Sequence, residues 1–352
     1  MKFRMNGDSA SSLALIAVTS RVFFGTVIDL PGLFCAGWLA TLLGALIAFP
    51  MILLVSRIRL VQKASPVAGF SERPAGRVLR WALLPFAVYS AFDGAIVARG
   101  IAHSASYLSL NDSSMLELLA PILIMCVACL LCNGNAIGSG ARLWRWFLPW
   151  LLAIVVLLQV KQFRFAWLAP VLGPGLEPVL TGAIRIASWF CMPALLGLVS
   201  EGGEKGDPMH PIRMFFACAL ISAALMVLRS LMLPSMVDGE LNHYFFLMDT
   251  LLSNGRANIS LQLPMAMLWF VGMLFGLLMD AYLTAAALQA ALPKLSGKLL
   301  AYISVALIAF FALSGWATRE IDLPAAAFAY PAFGLLLIAS AATLYPRRTQ
   351  NS

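Results

Sequence analysis

Residues 262–290 read QLPMAMLWFVGMLFGLLMDAYLTAAALQA, a run in which Asp280 is the one ionisable side chain. At 1.5 Å per residue it makes a helix of roughly 40 Å, enough to cross the ~30 Å hydrocarbon core of a bilayer. Gly272 and Gly276 within it form a G-x-x-x-G pair, the spacing that lets membrane helices approach closely. Similar runs stand on both sides, at about 11–30, 34–55, 81–105, 114–133, 143–160, 177–199, 212–234, 300–317 and 324–345. The reading is therefore an all-α integral membrane protein of about ten spans. Hydrophobic residues make up 61% of the 352 and charged ones 11%, where soluble domains carry about 25% charged residues. No stretch remains for a separate soluble core, so residues 1–352 are read as one membrane domain. Spans must be helical here, because lipid offers backbone amides no partner and the alternating pattern of a barrel is absent.

The start, MKFRMNGDSASSLALIAV, is basic and then apolar like a signal peptide, but the run continues past Arg21 to Leu30 without a small-residue cleavage site. It is read as a retained first helix. An even number of spans puts both termini on one side. That side then holds Lys2, Arg4, Arg57, Arg59, Lys63, Arg73, Arg77, Arg80, Arg142, Arg145, Lys205, Arg213, Lys294, Lys298, Arg347 and Arg348. The opposite side holds Lys161, Arg164, Arg256 and Arg319. This bias places the termini in the cytoplasm. It also gives the net charge of +8 a topological meaning rather than a nucleic-acid one. The link 56–80 is a basic topology determinant facing anionic lipid. Link 161–176 reads as interfacial, and link 235–261 is long and polar.

Ionisable residues inside a span cost at least about 2.5–3.5 kcal/mol on insertion scales and usually face the protein interior. Arg21 and Asp93 lie near the middle of their spans and Asp280 in the inner half of its own. They are the leading functional candidates, with a purely structural Arg–Asp bridge as the other reading. Arg99, Arg185 and Arg229 fall toward outer span ends, where long side chains snorkel to the interface. Two spans carry break signals: Gly25 to Pro31 in the first, and Gly182 with Pro193 around Ser188-Trp189-Phe190 in the sixth. Interruptions at corresponding positions of two halves point to a midplane site in five-plus-five inverted repeats, here about 11–160 and 177–345. Cys126, Cys129 and Cys132 have metal-like spacing but no His or acid beside them, and read as small packing residues. No phosphate loop, zinc-protease motif or nucleophile elbow is present, so neither an enzyme, a cofactor nor a metal site is expected.

Several stretches resemble the endospore germination permeases, the B subunits of spore germinant receptors, within the amino acid–polyamine–organocation superfamily. These are Leu168-Ala169-Pro170-Val171-Leu172, Gly175, Pro178-Val179-Leu180 and Gly182-Ala183 before and into the sixth span. Ala36 to Gly44 resembles the family's opening of helix 2, Arg142 with Pro149 its start of helix 5, and Leu30-Pro31 its end of helix 1. The chain departs from the pattern at Ser260 and Gln262, in Trp189 to Pro193, and at Gly138, where the family often has charged residues.

The resemblance implies ten helices in a five-plus-five inverted repeat, with helices 1 and 6 interrupted. It implies a membrane subunit that binds a small nutrient, often an amino acid, between helices 1, 3, 6 and 8, beside other receptor subunits in the inner membrane of a spore. The expected lining is Gly25, Thr26, Val27, Tyr89, Asp93, Ser188, Trp189 and Asp280. A secondary amino acid transporter coupled to protons or cations is the alternative, and a subunit that only anchors partners, with Arg21 bridging Asp93 or Asp280, is a third.

Overall fold

The computed structural model describes residues 3, 5–25, 33–61, 74–108, 114–132, 134–159, 163–169, 172–173, 175–199, 210–232 and 262–314. Thr26, Val27, Pro31, the link 235–261 and the predicted span 324–345 lie outside them. In chain order the long helices are α1 (Gly7–Ser20), α2 (Gly37–Val61), α3 (Pro74–Leu108), α4 (Met115–Leu131), α5 (Gly134–Gln159), α6 (Leu176–Val199), α7 (His210–Met232), α8 (Gln262–Ala291) and α9 (Gly297–Leu313). A π-helical turn, Arg21–Gly25, follows α1 directly. No strand occurs among the described residues.

Four stretches are each long and apolar enough to cross a membrane: Gly37–Arg57, Leu176–Gly197, His210–Leu231 and Met267–Ala291. Met115–Leu131 and Gly134–Trp150 pass the same test when taken together. The protein is thus a multi-pass membrane protein. Residues such as Leu143, Trp146, Trp150 and Leu157, spaced to share one face of α5, are exposed as lipid-facing side chains would be.

Helix starts follow local chemistry. Asn6 caps α1 by accepting the Asp8 N–H. Ser114 and Glu117 form a reciprocal capping box at α4, and Ser296 caps α9. Helix α3 starts at Pro74, well before the apolar stretch expected to begin near 81. Proline suits a first helical turn, and the Arg77–Arg80 turn is helical without being apolar. Its 35 residues amount to about 50 Å, longer than a bilayer core.

Small residues set the closest approaches. Helices α3 and α8 pack together at Ala87, whose carbonyl accepts from Thr284 Oγ1 at 3.5 Å, and at Gly94, where an added Cβ would meet Asp280 Cβ at 3.1 Å. Ser90 Oγ donates to the Asp280 carbonyl at 3.0 Å across the same interface. Helices α2 and α6 pack likewise, with Gly44 against the Ala183 carbonyl. Helix α1 runs between these pairs, touching α5, α6, α7 and α8.

The expected interruption of the sixth helix is corrected: α6 is one continuous helix from Leu176 to Val199, with Pro193 inside it. Gly182 serves packing instead. A Cβ there would lie 2.7 Å from Leu33 Cδ2, so glycine is what lets Leu33 seat against α6. Proline is tolerated within membrane helices where surrounding groups meet the freed carbonyl.

Candidate functional site

Two acids on different helices converge on one cation. Arg21, first residue of the π turn, donates from Nη1 to Asp93 Oδ2 of α3 and from Nη2 to Asp280 Oδ2 of α8. All three are buried, Arg21 and Asp93 2% exposed and Asp280 fully enclosed. The geometry depends on the glycines of α8. Gly272 faces Ser20, whose Oγ and Cβ would lie 2.2 and 2.7 Å from an added Cβ. Gly276 leaves room for Arg21, whose Nε would be 3.5 Å from a Cβ. The G-x-x-x-G pair therefore admits the α1 backbone at its first glycine and the arginine side chain at its second.

Two carboxylates against one guanidinium leave one negative charge beyond what Arg21 balances. Arg21 reaches each acid through a single oxygen. Asp280 Oδ1 and Arg21 Nε have no hydrogen-bond partner within the described protein. An enclosed carboxylate oxygen without a donor costs on the order of 1–3 kcal/mol or more.

The remaining expected site residues fall around this cluster. Tyr89, one turn before Asp93 on α3, is buried and within electrostatic reach of Asp93, Arg21, Arg185 and Ser188. Ser188 Oγ donates to the Arg185 carbonyl at 2.6 Å. Trp189 is buried, with the Arg185 guanidinium carbon 5.9 Å from its ring centroid. Gly25 ends the π turn.

Two of the three outer arginines, Arg185 and Arg229, do not snorkel. Arg185 and Arg229 are 4% and 7% exposed. Arg229 Nη1 donates to the Phe23 carbonyl within the π turn at 3.4 Å. Arg99 donates to the Ala312 carbonyl in the last turn of α9 at 3.2 Å, a place where helix carbonyls lack partners. Their sequence signal was the same as for Arg21, a cation in an apolar run. Depth along the chain was a poor guide, because it does not tell which face of a helix meets protein.

One feature had no sequence signal. Phe3 and Met5, ahead of α1, are buried at 5% and 0% exposure. The Phe3 N–H donates to Gln289 Oε1 at 2.9 Å, and its ring stands edge-on to Tyr282 with centroids 5.9 Å apart. Asn6 N–H donates to Asn135 Oδ1. The segment before α1 is thereby fastened to α8 and α5.

Multiple apolar helices around a buried charge cluster, one of them changing pitch at the cluster, define a multi-pass membrane protein with a charged site in its interior. Residues 13–240, more than half of the chain, match the spore germination protein family. The chain belongs to that family, a permease- and receptor-like membrane family rather than a family of enzymes. The match includes Arg21 and Asp93, while Asp280 lies beyond it. No curated protein matches the chain.

Proposed function

We propose that this protein is the membrane subunit of a spore germinant receptor and binds a small nutrient, such as an amino acid, among α1, α3, α6 and α8. The observation that carries the reading is the Arg21–Asp93–Asp280 cluster at the pitch change of α1. Its surplus negative charge is what a ligand ammonium offsets. Asp280 Oδ1 is an acceptor for it, and Tyr89, Ser188 and Trp189 stand nearby on α3 and α6. The ligand carboxylate would be met from Gly25 at the end of the π turn, with Thr26 and Val27 as the sequence candidates that follow it, and α6, being continuous, contributes side chains rather than open backbone.

A five-plus-five inverted repeat, about 11–160 and 177–345, is supported by four contacts: α1 with α6, α2 with α7, α3 with α8 and α4 with α9. Each joins a helix to the one five places later, its counterpart under a two-fold axis in the membrane plane. On this reading the chain has ten spans with both termini cytoplasmic, sits in the inner membrane of the spore, and works beside other receptor subunits. Signalling needs a nutrient that prefers one of two conformations.

The test is Asp93→Asn in spores, scored for the nutrient response and for protein level. The response weakens at unchanged level. A normal response at normal level removes Asp93 from the site.

A further inference from the structure

We propose that Phe3 and Met5 form a plug that closes the end of the bundle at which α1 starts, and that withdrawing this plug admits water and small solutes from that end to the Arg21–Asp93–Asp280 cluster. The inference concerns access to the cluster and does not need the nutrient-site reading.

The chain ahead of α1 goes deeper as it leaves the helix. Asn6, the α1 cap, is exposed and stands roughly 22 Å along the helix axis from Arg21. Met5 and Phe3 before it are buried. The Phe3 N–H donates at 2.9 Å to Oε1 of Gln289, which lies roughly 13 Å along α8 from Asp280. The Phe3 ring stands edge-on to Tyr282, only roughly 3 Å along α8 from Asp280. Two apolar side chains therefore turn back from the rim into the bundle, toward the level of the charges. Tyr282 and Gln289 share one face of α8, with Ala285 and Ala286 between them, both buried. Alanines there leave a shallow groove, and Phe3, tied to both ends of it, lies along it.

On its other side the segment reaches α5, where the Asn6 N–H donates to Asn135 Oδ1 at 3.1 Å. It thus runs from α8 to α5, across the line where both meet α1. Its attachment suits a part that moves. Phe3 and Met5 belong to no helix, and the Asn6 bond is exposed to competing water. Contacts of this kind open locally at a fraction of the cost of unfolding the bundle. The helices around the cluster are tied more closely, through Gly94 against Asp280 and Gly272 against Ser20. Arg21, Asp93 and Asp280 are all buried, so a polar species that meets them needs an opening. The plug is a part of this end that can leave without separating two helices.

The experiment labels the purified full chain in detergent with a water-soluble maleimide and reads each cysteine separately by mass spectrometry. Two reporters are introduced: Ala286→Cys in the groove along which Phe3 lies, and Ser188→Cys beside Tyr89 near the cluster. Native Cys218, fully buried on α7, reports general loosening. With Phe3 in place both reporters label slowly. Phe3→Ala should speed both by about tenfold or more, because labelling tracks the population of the open form, and should leave Cys218 unchanged. Gln289→Leu removes the acceptor for the Phe3 N–H and keeps the ring contact. It should give the same pattern by a smaller factor, and it carries the test if Phe3→Ala does not fold. Rapid labelling at position 188 with Phe3 in place overturns the proposal, because the cluster is then open with the plug seated. Acceleration at position 286 alone also overturns it, since Phe3 then only anchors the segment. So does acceleration at position 188 that Cys218 shares, or none in either variant.

Discussion

Placing alanine at each glycine of the α8 pair separates two roles that the motif alone does not distinguish. At Gly272 a new Cβ would meet Ser20 Oγ at 2.2 Å and Ser20 Cβ at 2.7 Å. Rotating the serine relieves the first contact but not the second, because Cβ is fixed to the α1 backbone. Helix α1 must therefore move from α8, an overpacking cost of about 1–3 kcal/mol. At Gly276 the nearest atom, Arg21 Nε, lies at 3.5 Å, ordinary contact. Both substitutions raise helix propensity by up to about 1 kcal/mol, a gain that cancels when the two variants are compared. Gly272→Ala should thus be about 1–3 kcal/mol less stable than Gly276→Ala, a melting difference of several degrees. A thiol-reactive dye reads it in detergent, since Cys35, Cys126, Cys191 and Cys218 are buried and become reactive on unfolding. Ser20→Gly in the Gly272→Ala background removes the obstructing atom and should return most of the loss. Equal midpoints for the two alanine variants, or a lower one for Gly276→Ala, would refute the packing argument.

Other perturbations test other parts of the structure. Phe3→Ala should release the segment ahead of α1. With Met5→Cys as reporter and Cys132→Ser to lower background, a water-soluble maleimide should label position 5 slowly with Phe3 present and rapidly without it; equal labelling would mean that the Phe3–Tyr282 contact does not hold the segment. Ser114→Ala removes half of the α4 capping box and should cost about 1 kcal/mol, seen as faster hydrogen exchange at the amides of Met115 to Leu118. Unchanged exchange there would show the cap to be dispensable.

What the chain displayed openly was cost. Arg21, Asp93 and Asp280 stand out because an ionisable group in an apolar run needs a reason, and the structure has them touching. The same rule applies to Arg185 and Arg229, whose short distance to a span end suggests a route to water that their burial excludes. Hydropathy also hid the start of α3, because it registers contact with lipid and not helicity. The Gly182 and Pro193 signals were real as residues and misleading as breaks, since a glycine can serve a neighbour's side chain as well as its own backbone. Gly138 is instructive in the other direction. A Cβ at this position would lie 2.1 Å from Ser9 Cβ, so α1 occupies the volume that any side chain here would need. Phe3 is held by Gln289 and Tyr282, nearly three hundred positions away, which no local pattern encodes.

The turn at Arg21–Gly25 closes its hydrogen bonds over five residues where α1 before it closes them over four. Such a turn is an α-helix holding one residue more than its pitch accommodates, and one residue is worth about 100° of rotation. Losing any residue from Val22 to Gly25 would let the ladder revert to the ordinary pitch and swing the chain beyond it by about that angle, while a loss just before Arg21 would turn the guanidinium away from both acids. Among descendants of this gene, the length of this stretch should therefore be as constrained as its lettering, and a single-codon deletion here should be as damaging as a missense change at the arginine itself.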